Sequence, residues 1–102
     1  MAYYLLKLLP PRPTFPFDMN DSERELMQKH SEYWQMFTDK GVVILVGPVL
    51  DPDGPWGVGI IEVDDDTAAQ TLADNDPVIK ANAGFRTAIM PMPSIIIRKS
   101  AA

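Results

Sequence analysis

No cysteine occurs among the 102 residues, which removes disulfides, thiolate nucleophiles and zinc–thiolate sites and fits a reducing compartment. Histidine is present once, as His30, so a transition-metal site would have to gather carboxylates from distant segments. Positive charge is also scarce: nine Lys and Arg stand against 14 Asp and Glu. So acidic a chain lacks the basic face that phosphates require, and nucleic acid is not an expected partner. No apolar run approaches the ~20 residues of a membrane span, and no basic segment leads into a long apolar one. Membrane contact is therefore not expected, and the cytoplasm is the expected setting. A phosphate-cradling glycine loop is missing as well, because Gly57-Val58-Gly59 has no third glycine and continues as strand. Asp51 and Asp53 before Gly54 do not make a calcium loop, since Val49 and Ile60 stand where its first and last acids belong. No metal or other cofactor is expected.

What is present is ordinary for a folded domain: 46% hydrophobic and 23% charged residues. The length supports one modest core, so residues 1–102 are read as a single domain. Tyr3 to Leu9 is an aromatic and aliphatic run stopped by Pro10 and Pro11, a first strand with a central place in the sheet. Residues 10–19 form a proline-rich loop, extended and irregular. Its Phe15 and Phe17 are expected to cover an open end of the core or line a pocket mouth, because apolar area left in water costs about 25 cal/mol per Å². Asn20 with Glu23, or Ser22 with Glu25, offers a capping box, and Lys40-Gly41 suits a helix close. The first helix is thus expected over Asp21 to Lys40. Within it Leu26, His30, Tyr33, Trp34 and Phe37 fall at i, i+4, i+7, i+8 and i+11, one stripe that must face a core.

Val42 to Leu50 is almost unbroken in apolar character and is expected to be a strand buried on both faces or nearly so. After a turn over Asp51 to Pro55, Trp56 to Val63 makes a hairpin with it. Gly57 and Gly59 in that strand leave room for another backbone, a bulge or a ligand. Asp64 to Asp66 opens a second helix, Thr67 to about Ala73, and Asp76-Pro77 places an N-cap and a first helical residue on a short turn reaching Asn82. Phe85 to Met90 reads as a fourth strand. Within residues 94–102, Ser94 to Arg98 reads as a last short strand before a tail. The order strand, helix, strand, strand, helix, strand is the split βαβ arrangement: an α+β, ferredoxin-like βαββαβ fold, with an antiparallel sheet and helices on one face. The other sheet face needs a cover that this chain cannot supply, so a homodimer is expected.

His30, then Trp34, Gly41, Gly47-Pro48, Gly54 and Gly57, Glu62, and Asp76-Pro77 together resemble the YciI-related (YCII) domain family. The likeness extends from about Tyr3 to Pro91 and implies a dimeric α+β barrel. It further implies a small enzyme with a histidine–aspartate pair, carried over here as His30 and Asp76; one such relative is a dehydrochlorinase acting on a chlorinated hydroxyquinol. The sequence departs from the family pattern at Val78, where an aromatic is common, so substrate choice does not transfer. Tyr33, Trp34, Gly47, Pro48, Phe15 and Phe17 are the expected substrate-binding residues.

Each residue has a plainer reading. His30 could be a core histidine satisfied by a carbonyl or carboxylate, and Asp76 a helix cap with no chemistry. Both roles fit Asp76 at once, because one carboxylate oxygen can cap while the other orients an imidazole. Ser31 points around the helix away from His30, which makes a serine–histidine nucleophile pair improbable. Two functions follow. One is a cofactor-free acid–base enzyme, lyase- or isomerase-like, acting on a small, aromatic or hydroxylated substrate; the other is a non-catalytic dimeric domain that binds a small molecule or a protein.

Overall fold

The computed structural model describes residues 1–99. Its elements are β1 (Ala2–Leu9), α1 (Asp21–Asp39), β2 (Val43–Val49), β3 (Trp56–Val63), α2 (Asp66–Asp74), α3 (Pro77–Lys80) and β4 (Arg86–Met92). The strands lie in the order β2-β3-β1-β4, every neighbouring pair antiparallel. This is the ferredoxin-like α+β arrangement, with β1 central as its composition implies.

Alternation along β1 divides the sheet. Tyr4 and Leu6 are buried, and Ile61 opposite Tyr4 is wholly enclosed; with Val43 they pack against Trp34 of α1 and Ala69 and Leu72 of α2. Phe15, Val78 and Phe85 form a second cluster that joins the proline-rich loop to α3 and the start of β4. Of the two capping pairs the sequence offers, Asn20 and Glu23 are the ones used: Asn20 Oδ1 accepts from Glu23 N at 2.8 Å, and Glu23 Oε1 accepts from Asn20 N at 3.0 Å. Gly41 then turns the chain at φ 81°, a value open to glycine at no steric cost.

Three expectations need correction. β2 is not buried on both faces, because it is an edge strand, and Leu45 is 48% exposed. The apolar run that suggested burial on both faces or nearly so instead has one neighbouring strand, and it carries Pro48, which an edge tolerates. β4 extends past its expected end to Met92 and contains Pro91, again at an edge. The last strand over Ser94 to Arg98 is absent. β4 has paired along β1 as far as Tyr3 with Met92, so the partner strand is exhausted where that run would begin, and Pro93 brings no N–H. The tail residues 100–102 lie outside the described residues.

Candidate active site

A cavity of about 460 Å³ opens between α1, the proline-rich loop and the sheet. Its floor follows from β3. Gly57 and Gly59 share the helix-facing side with buried Ile61 and stand opposite Leu8 and Leu6 of β1. A Cβ on Gly57 would lie 3.5 Å from Leu8 Cβ, an ordinary contact, so crowding does not demand glycine there. The effect of the two glycines is to keep the floor low where a Val or Ile would fill the space. Gly47 and Pro48 of β2 border the same space, and Phe15 walls it from the loop, locked edge-on against Phe85 with centroids 5.2 Å apart.

His30 and Trp34, one helical turn apart on α1, face this cavity. His30 Nδ1 lies 2.8 Å from Asp76 Oδ2 across 46 positions of sequence. Trp34 Nε1 donates to the same oxygen at 2.7 Å, and Val78 N donates to Asp76 Oδ1 at 3.0 Å. Asp76 is 2% exposed, and the hydrogen bonds of its carboxylate all come from N–H donors. One oxygen thus caps α3 while the other holds the imidazole. Because an ionised carboxylate only accepts, Nδ1 carries the proton in this pair, and Nε2 is left without a partner among the described residues.

Two expected contacts fall elsewhere. Tyr33 is not at the cavity: its hydroxyl donates to Leu72 O at 2.6 Å, and its ring packs edge-on against Trp34 and Phe37. Burial, and then the charge of Asp76, push that phenol up to about 12, so it keeps its proton at neutral pH. Phe17, two residues from Phe15, is 77% exposed and covers nothing. The loop turns tightly between them, with Phe17 N donating to Thr14 O, and puts only the first ring inside.

The loop is fixed by Arg12. Its Nη1 and Nη2 donate to Glu23 Oε2 and Oε1, both at 2.7 Å, its Nε donates to the Asp18 carboxylate, and Nη2 also reaches Asp18 O. Arg12, and after it the Asn20 N–H, hold the Glu23 carboxyl down to about 2. The remaining polar groups at the cavity are Ser31, Gln35 and Thr87; no Lys or Arg is among the described residues that line it. Nor, among the described residues, do three His, Cys, Asp or Glu side chains meet as a metal site requires.

Sequence reasoning did not foresee the Trp34 bond to Asp76 or the part of Met27, Trp56 and Phe85 in the wall. The i, i+4 spacing of His30 and Trp34 places both on one face, but spacing does not say where an indole N–H points.

A family model for the YCII-related domain matches residues 2–93. The chain belongs to the YCII-related domain family. Among solved structures this YCII-related domain is similar to 5-chloro-2-hydroxyhydroquinone dehydrochlorinase from Burkholderia phenoliruptrix, whose structure holds 2,5-dihydroxybenzoquinone. The TM-score is 0.51 at 18% identity, over 83% of this chain and 90% of that one. It is also similar to an uncharacterised protein from Thermotoga maritima, at a TM-score of 0.49 and 14% identity, over 88% and 94% of the respective chains. No curated protein matches the chain. The first likeness supports the fold. Among the described residues no helix is long and apolar enough to cross a membrane.

Proposed function

We propose that this YCII-related domain is a cofactor-free acid–base enzyme, lyase- or isomerase-like, in which His30 Nε2 takes a proton from a small ring substrate. The observation that carries this reading is the His30 Nδ1 to Asp76 Oδ2 bond of 2.8 Å at the wall of a cavity of about 460 Å³. Asp76 orients the ring and favours the imidazolium that forms when Nε2 accepts the proton. Phe15, Trp34 and Phe85 offer faces and edges to a flat ring, while Ser31, Gln35 and Thr87 offer hydrogen bonds to hydroxyls. With no Lys or Arg among the described residues of the wall, the substrate is recognised by shape and hydroxyl groups, not by an ion pair to a carboxylate or phosphate. A hydroxylated six-membered ring of hydroquinone type meets these conditions. Transfer of one hydroxyl proton to the ring carbon that bears the substituent, loss of a second hydroxyl proton to the base and departure of the substituent as an anion leave a quinone, with net loss of an acid HX; this is the lyase form of the chemistry. The same family fold around a dehydrochlorinase supports the choice of substrate class.

A homodimer belongs to this reading too, with the helix-free face of the sheet as the shared surface.

The test is turnover of chlorinated hydroxyhydroquinones, followed by chloride release, together with binding of 2,5-dihydroxybenzoquinone followed by NMR. His30→Ala should lower kcat by at least about 100-fold, the usual share of a general base, with the fold retained. Binding in the cavity with no turnover by the native chain would replace the enzyme by the non-catalytic binding domain.

A further inference from the structure

Asp76 Oδ2 serves two N–H donors from the same helix, His30 Nδ1 at 2.8 Å and Trp34 Nε1 at 2.7 Å. The two compete. An oxygen that already accepts a hydrogen bond from an indole has less negative charge to offer a second donor, and indole N–H is a donor only, so Trp34 cannot reverse its role. Apart from Asp76, every described residue that borders the cavity with His30 is uncharged, among them Phe15, Pro10 and Pro16 from the loop, Gly57 and Gly59 from β3, and Thr87 from β4. Tyr33, next to Trp34 on α1, directs its hydroxyl to Leu72 O instead. Among the described residues Asp76 is therefore the one charge that faces the imidazole from the cavity wall, and Trp34 is the group that divides that charge.

We propose that Trp34 is a positioning residue that sets how strongly His30 holds its proton, by taking a share of the Asp76 carboxylate through Nε1. The inference rests on the reading of His30 as a proton acceptor for its importance, but not for its measurement. A base must release its proton again after each turnover, and a carboxylate given wholly to the imidazole would retain it as imidazolium. The indole bond also keeps Oδ2 from turning away from Nδ1.

His30 is the only histidine, so its Hε1 resonance reports a titration free of overlap. Trp34→Phe retains an aromatic ring against Tyr33 and deletes the donor. Its His30 titration should lie at higher pH than that of the native chain by roughly half to one unit, the equivalent of one ordinary hydrogen bond. The same substitution made on Asp76→Asn should give no such displacement, because the effect passes through the carboxylate. A displacement of equal size with and without Asp76 would assign the effect to altered burial and overturn the proposal. So would an unchanged or lower midpoint in Trp34→Phe. Should that variant fail to fold, the native chain decides: the Trp34 indole N–H resonance, told from that of Trp56 by a Trp56→Phe chain, should move along the His30 titration. An indole signal indifferent to that titration would overturn the proposal. None of these readouts needs a substrate, so failure of the enzymatic reading and failure of this one are separable.

Discussion

Removing Asp76 would expose how many tasks one carboxylate performs. It caps α3 through Val78 N, and it satisfies buried donors on His30 and Trp34. Loss of an N-cap costs about 1 kcal/mol, and each buried donor left unpaired costs about 1–3 kcal/mol more. Asp76→Ala should therefore destabilise by about 3 kcal/mol, lowering Tm by more than about 10 °C in thermal unfolding followed by circular dichroism. Asp76→Asn keeps a cap oxygen and should lose less stability but most turnover; equal losses in the two variants would contradict the divided role. The pairing with His30 was legible because two independent patterns mark the residues: a polar ring on an apolar helical stripe, and Asp before Pro at a helix start. Trp34 and Tyr33 also lie on that stripe, yet one reaches the carboxylate and the other a backbone carbonyl of α2. Neighbours on a helix face share a direction, while their polar tips are placed by the partner element, which a single-chain pattern does not contain. Phe15 and Phe17 differ for a related reason, since the tight turn of the loop decides which ring enters.

Two elements shape the cavity, and each can be tested by itself. On β3 the glycines hold open a floor that strand propensity would fill, so Gly57→Val should improve the strand and fill the cavity together. Its Cβ meets Leu8 at 3.5 Å and fits, while the two further methyl groups enter the ligand space. Tm should be unchanged or higher, and affinity for a ring ligand such as 2,5-dihydroxybenzoquinone should fall at least about tenfold, the loss expected for about 1.4 kcal/mol of displaced contact. Unchanged affinity would show that the ligand does not lie over β3. The proline-rich loop depends instead on charge. Glu23 sits at about 2 in the folded chain, below its ordinary 4.5, first because of Arg12 and then the Asn20 N–H. A depressed carboxyl contributes stability that is fully present above pH 4.5 and is lost as pH falls from there through about 2. Native protein should lose stability over that window in chemical denaturation, and Glu23→Gln should flatten the loss. A variant that lost stability as steeply as the native chain would place the acid sensitivity elsewhere. That the capping pair is Asn20–Glu23 was one of two possibilities in the sequence; Arg12 decides it, because its planar fork matches the Glu23 carboxylate.

At the scale of the molecule the element order alone carried the fold, and what it misjudged lies at the sheet edges. A run such as Val42 to Leu50 has the same apolar pattern whether a neighbouring strand or a second molecule covers it. β2 and β4 are both edge strands here, and both bear proline, so further strands are not their natural cover. The register shows what is left open on the face away from the helices. Leu45 pairs with Ile60, Ile60 with Leu5, and Leu5 with Met90, so these four form one apolar row across all four strands. Leu45 and Met90 at its two ends are among the exposed large hydrophobics. A row of this kind spanning a whole sheet suits a flat, self-complementary contact, in which a twofold axis lays the row against its own copy. Sedimentation equilibrium at micromolar concentration should then give twice the 11.4 kDa chain mass. Each chain carries a formal charge of −5, so the copies repel, and association should strengthen as salt screens that charge. Replacing both ends of the row, Leu45→Lys with Met90→Lys, leaves the helix-facing core untouched and should return a folded species of single chain mass. A native chain that sediments as one copy, at low salt and high, would reject the shared face.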